Sequence, residues 1–342
     1  MLRAIKTTVV VGFVSVLLLV VCEAAARWYL FGRPVARQVG LLEVANLFVG
    51  APRYGNRELS QPMFRADPYL GYTLSPGTTV VKSYSGDKSI TWTLTADQNG
   101  RRITRTAGAT CGPKTVYIIG DSFLVGAAVT DTDAVGWKLQ SILGDEYCVE
   151  NLAVGGFGNV QGYLQLARLA ASQVKADFVV IGYGQYYRPR NVAASSRMQE
   201  YAVIPGAAPW FADLAHARAF LMRGGKIGID YVSLYRPEYA HLGSSASQLD
   251  PPAAYMEAVT EALIDEIINK TIAMGAKPLL AVLTAQDGDA VVAAAKQRGV
   301  PIIDLFPLPP EQTDDLMPFD GHPGPKSHSA YATRIAATIA VH

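Results

Sequence analysis

Residues 115 to 126 read TVYIIGDSFLVG: a β-branched, aromatic-bearing stretch stops at Gly120 and Asp121 and presents the hydroxyl of Ser122 on a turn. A serine hydroxyl is a weak nucleophile until a base within hydrogen-bond reach takes its proton. Attack on an acyl carbonyl then needs a carboxylate to orient that base and fixed N–H donors for the oxyanion. Bases are few in this chain, whose five histidines are His216, His241, His322, His328 and His342.

The elements that must position such groups are legible from residue 115 onward. Val116 to Ile119 reads as a strand, Asp133 to Leu143 as a helix burying Trp137, Leu139 and Ile142, and Tyr147 to Leu152 as a second strand. A helix over Gly162 to Val174 leads to a third strand, Phe178 to Ile181. The segment 189–250, rich in Ala, Gly, Ser and Pro, reads as an irregular insertion. Alternation resumes with a helix over Tyr255 to Met274, a strand Leu279 to Leu283, a helix Ala290 to Arg298 and a strand Ile302 to Phe306. A final helix near Ser327 to Val341 turns Tyr331, Ile335 and Ile339 inward. Strands alternating with helices predict one parallel, doubly wound, five-stranded sheet of flavodoxin-like type, with ligands at the carboxyl ends of its strands.

Four polar clusters fall just after strands. They are Gly120-Asp121-Ser122, the loop NLAVGGFGNVQ from Asn151, the loop GYGQYY from Gly182, and Asp320-Gly-His322-Pro near the end. Parallel strands bring these clusters to one edge of the sheet. Asp121 is expected to cap or brace its turn.

In this order the clusters resemble the SGNH, or GDSL, hydrolase superfamily. The resemblance covers roughly 113–192 and 276–342. It implies Ser122 as nucleophile, His322 as base and Asp320 as its orienting carboxylate, with Asp315 or Asp314 as alternatives because the spacing to His322 is one residue short. The implied oxyanion donors are the Ser122 N–H, the Gly156 N–H (Gly155 being the close rival) and the Gln185 amide, where the family carries an asparagine. His328, six residues past His322, reads as a helix-packing group. Tyr183 and Arg188 are candidate substrate-binding residues, and Tyr186, Tyr187 and Arg190 share their loop. The motifs LSPGT and QNGRR resemble the lead-in of membrane-anchored bacterial members.

Ahead of these blocks, Thr7 to Cys22 carries no charge and, counted to Ala26, reaches the roughly 20 residues that cross a bilayer. Residues 1–26 are expected to form a retained single-pass anchor, with a cleaved signal peptide as the rival. Residues 27–112 read as a small β-rich collar, in which Ile90, Trp92 and Leu94 alternate with polar neighbours before the turn at Asn99-Gly100. Residues 113–342 would then form the catalytic domain. Of the three cysteines, Cys111 and Cys148 are expected to pair, as thiols of exported domains do, against the alternative of two unrelated buried residues. Lys plus Arg number 30 against 29 Asp plus Glu, which gives no electrostatic basis for nucleic-acid binding. No Cys/His cluster has metal-ligand spacing and no glycine loop matches a phosphate cradle, so neither metal nor cofactor is expected. The expectation is a serine esterase on the outer, periplasmic side of a bacterial inner membrane, acting on an acyl ester or O-acylated glycan. The alternatives are an O-acyltransferase using the same residues and a non-catalytic scaffold on that fold.

Overall fold

Val116 to Ile119 are all buried, and so are all seven residues Phe178 to Gly184, as expected for central strands covered on both faces. The computed structural model describes residues 12, 14–22, 25, 57–194, 197, 215–233, 250–284, 288–314 and 321–342. Its main sheet comprises β6 (Lys114–Ile119), β7 (Tyr147–Asn151), β8 (Phe178–Gly184), β11 (Lys277–Thr284) and β12 (Ile302–Asp304). The order is β7-β6-β8-β11-β12, all parallel, with Val116 paired to Val149 on one side and Phe178 on the other. The direction in which successive strands are laid down reverses at the β6/β8 junction, which is the topological switch point where such sheets open a crevice. Ser122 follows β6 at that junction.

The connecting helices are α1 (Ser122–Val125), α2 (Val135–Leu143), α3 (Asn159–Ala171), α4 (Tyr187–Asn191), α5 (Ala253–Ala273), α6 (Ala290–Gln297) and α7 (Pro325–Val341). α2 packs against α7, whereas α3, α5 and α6 pack in series. Right-handed crossovers assign these two groups to opposite faces of the sheet. The α2 face differs from its prediction. Val135, Gly136 and Leu139 are buried, Trp137 is half-buried, and Ile142 is exposed.

The collar contains a three-stranded antiparallel sheet, β1 (Arg57–Leu59), β4 (Gly77–Ser85) and β5 (Lys88–Ala96), beside the hairpin β2 (Phe64–Asp67) and β3 (Gly71–Leu74). It is stitched to the main sheet at Arg102, whose N–H donates to the Asn151 carbonyl at 3.2 Å. The Arg102 side chain, 1% exposed, donates to Asp131 at 3.0 Å and to the carbonyls of Thr93, Val125, Gly126 and Val129. One guanidinium thus joins β5 to the loop that follows the Ser122 helix.

The predicted irregular segment 189–250 is corrected in part. Residues 215–233 form a hairpin, β9 (Ala215–Leu221) and β10 (Ile227–Ser233), turned at Gly224 and Gly225. Alanines at every second position of β9 hide its alternation in the sequence. Of the predicted anchor, residues 14–22 are helical, with Val16 to Val21 exposed. Among the described residues no helix is long and apolar enough to cross a membrane. The remainder of 1–26 lies outside them.

Candidate active site

The turn that carries Ser122 is built by close packing. A side chain at Gly120 or at Gly182 would meet the Leu124 methyl at 2.8 or 2.7 Å, so α1 can fold back onto the ends of β6 and β8 only where neither residue has one. Asp121, fully buried, caps α1 by accepting from the Phe123 N–H at 3.1 Å. Its other carboxylate oxygen accepts from Arg190 at 2.7 Å. The Arg190 guanidinium also donates to the Phe157 carbonyl and lies over the rings of Tyr186 and Tyr187. Burial, reinforced by the negative Asp121 beside them, pushes both of those phenols well above the usual tyrosine range. They are neutral walls of the site and do not serve as bases.

Ser122 is half-buried and opens α1, so its N–H is one of the donors that a helix leaves without an intrahelical partner. The glycine loop after β7 is lashed to this turn by the Val154 N–H, which donates to the Gly120 carbonyl at 3.1 Å. Gly155 faces Ser122: a Cβ built on it would stand 4.0 Å from the Ser122 Cβ and 3.7 Å from the Phe64 ring. The predicted donor Gly156 is the next residue, at φ +84°.

His322 lies against Phe123 in a tilted ring contact, with centroids 5.8 Å apart and planes at 59°. The structure therefore brings the predicted base to the residue beside Ser122. Tyr186 borders the same ring at 5.9 Å. Asp320 and Asp315 lie outside the described residues. Asp314 is committed elsewhere: its carboxylate accepts from the Lys326 and Ser327 N–H groups at 3.1 and 3.2 Å, and its carbonyl from Gly324 N–H. Negative charge is favoured at a helix start, so Asp314 anchors α7 and is removed as an alternative partner of His322. His328 is fully buried against Tyr331, and burial, helped by the charges of Arg102, His322 and Lys138, lowers its pKa to about 3.

Three sequence-predicted residues take a different place. The Gln185 amide donates to Asp289 at 3.1 Å, the Tyr183 hydroxyl meets the same carboxylate at 2.9 and 3.0 Å, and Arg188 bridges Asp289 and Glu257 at 2.9 and 2.7 Å. Asp289 in turn caps α6 through Val291 and Val292. Tyr183 is fully buried and has no face for a substrate, and the Gln185 amide is engaged by a carboxylate that attracts its N–H more strongly than a neutral acceptor would. This cluster fixes the end of β8 to α6. It leaves Tyr183 without a face for a substrate, and it ties the Gln185 amide and Arg188 to Asp289.

Sequence reasoning missed Asp289, Arg102 and the collar residues Phe64 and Tyr72. Only the Asp before an alanine-rich helix carried a signal, that of an N-cap. Cys111 and Cys148 are joined as a disulfide with Cα atoms 4.9 Å apart.

No family model matches the chain, and no curated protein matches it. Among solved structures it is similar to TesA, at 16% identity and a TM-score of 0.37 over 66% of this chain and 98% of that one. It is also similar to the psychrotrophic esterase EstA from Pseudoalteromonas sp., at 12% identity and a TM-score of 0.38 over 67% and 97%. A carbohydrate acetylesterase family member from Sinorhizobium meliloti matches at 12% identity and a TM-score of 0.36 over 67% and 98%. At such identities and TM-scores these likenesses carry no argument about activity.

Proposed function

We propose that this chain is a serine ester hydrolase that works through an acyl-serine intermediate on an O-acyl ester of the cell envelope. The observation that carries the reading is the tilted ring contact of His322 with Phe123, the neighbour of Ser122, at a sheet's switch point. In this reaction His322 takes the proton from the Ser122 hydroxyl as its oxygen attacks the ester carbonyl. The Ser122 and Gly156 N–H groups receive the oxyanion. Collapse of the tetrahedral intermediate breaks the ester C–O bond, and the leaving alkoxide takes the proton from His322. A water molecule, deprotonated by the same imidazole, then releases the acyl group. Asp320 is the carboxylate assigned to hold the imidazole in the right tautomer.

Residues 1–26 are assigned as the tether, with residues 27–342 on the periplasmic side of a bacterial inner membrane. The uncharged run from Thr7 to Cys22 supports the tether. The Cys111–Cys148 bond supports an oxidising compartment.

The test is labelling of the purified chain with a fluorophosphonate, together with turnover of a small acyl ester. Label on wild type that is lost in Ser122→Ala, and turnover abolished in Ser122→Ala and His322→Ala, is the expected result. Absence of label on folded wild type would sink the enzyme reading and leave a scaffold. Products formed with a polyol present separate hydrolysis from acyl transfer, which would use the same residues.

A further inference from the structure

Tyr72 lies in β3, in the collar, far along the chain from the loop it touches. Its ring is fully buried beside Phe64, Phe157 and His216, at centroid distances of 5.4, 5.1 and 6.2 Å. Its hydroxyl donates to the Gly155 carbonyl at 2.9 Å. That carbonyl belongs to the central peptide of a β-turn from Val154 to Phe157, closed by the Phe157 N–H on the Val154 carbonyl at 3.1 Å. Gly156, third in the turn, has φ +84°, the value a type II turn requires there.

Type I and type II turns differ chiefly by a flip of the central peptide. In a trans peptide the C=O and N–H point in opposite directions. A hydroxyl that holds the Gly155 carbonyl therefore fixes the Gly156 N–H on the side away from Tyr72. It also polarises the peptide and strengthens that N–H as a donor. The residue carrying the held carbonyl is the one that faces Ser122.

We propose that Tyr72 is a positioning residue for the oxyanion donor, acting from the collar through the Gly155–Gly156 peptide. The inference rests on the reading of the site as a serine esterase. Without the hydroxyl the half-buried carbonyl loses this partner, and the flipped peptide, which aims its N–H elsewhere, gains population.

The experiment is Tyr72→Phe in the full chain, which keeps the ring and removes the donor. We expect kcat to fall at least tenfold with KM within threefold, because the interaction acts chiefly in the transition state. Affinity for a boronic acid that mimics the tetrahedral intermediate should fall in parallel. Val81→Ala, a cavity in the buried collar strand β4, should lower the melting temperature and leave kcat within twofold. Unchanged kcat and boronate affinity in folded Tyr72→Phe, or a rise in KM alone, would overturn the proposal. Should that variant fail to fold, Gly156→Ala strains the same turn and must give the same split between kcat and KM; unchanged kcat there also overturns it. Wild type that neither turns over ester nor takes a fluorophosphonate would remove the esterase reading, and this inference with it. An active, labelled wild type with an indifferent Tyr72→Phe removes the inference alone.

Discussion

Arg190 and Asp121, the residue immediately before Ser122, form a buried ion pair at 2.7 Å, while the other oxygen of the same carboxylate caps the helix that Ser122 opens. The pair therefore couples α4 to the turn that aims the serine hydroxyl.

Arg190→Met keeps much of the stem that packs on Tyr186 and Tyr187 but leaves the Asp121 charge buried and unpaired. Loss of one partner of such a pair costs about 3–5 kcal/mol. Urea unfolding of the variant should give a loss of that order, and kcat on a small ester should fall with it. A loss below about 1 kcal/mol would mean that water or another donor takes the place of Arg190.

Asp314 and Asp320 should separate cleanly. Asp314→Ala removes the acceptor of two helix-start N–H groups and should cost roughly 1 kcal/mol of stability with kcat within twofold. Asp320→Asn should lower kcat by more than tenfold at little cost to the melting temperature. The reverse pattern would hand the orienting role to Asp314.

Gln185→Ala should leave kcat and KM within about twofold, because the amide is held by Asp289. The expected cost is one charge-assisted hydrogen bond, about 1.5–3 kcal/mol in thermal or urea unfolding. A parallel fall in kcat and kcat/KM by a factor of a hundred would return Gln185 to the oxyanion site.

Stability should fall in acid through His328 and His216. Burial holds their folded pKa values at about 3 and about 4, below the ordinary 6.5. The unfolded chain binds protons at these groups first, so their contribution is whole above about pH 6.5 and declines as pH drops toward 3 and 4. Each histidine weakens the fold by at most about 1.4 kcal/mol per pH unit in that window. His328→Phe should therefore show a shallower loss between pH 7 and pH 4.5 than wild type. Equal slopes in urea unfolding would place a proton-accepting partner beside His328 in the folded chain.

The main sheet was legible because its central strands are unbroken apolar runs and its helices carry a 3.6-residue stripe. Ser122 and His322 stood out as candidates only because four polar clusters fall just after strands and converge on one sheet edge, since Gly-Asp-Ser alone is a common turn. The β9–β10 hairpin was not, since Ala215, Ala217 and Ala219 carry too little hydrophobic contrast for a period of two to appear. Gln185 misled for a physical reason: an amide has the same chemistry toward an oxyanion as toward Asp289, a residue about a hundred positions away that only the folded chain brings within reach. Tyr72 was invisible because its hydroxyl bonds a backbone carbonyl, which leaves no side-chain pattern.

Arg102 has a consequence for where this protein can be cut. Its guanidinium spans four backbone carbonyls and Asp131, with Thr93 on the collar side and Val125, Gly126 and Val129 on the Ser122 side. A fragment starting after the collar would expose those carbonyls and bury an orphaned carboxylate next to the turn that presents Ser122. The collar and the α/β layer should thus melt in a single cooperative transition, and neither would be inherited, excised or transplanted as a module without the other.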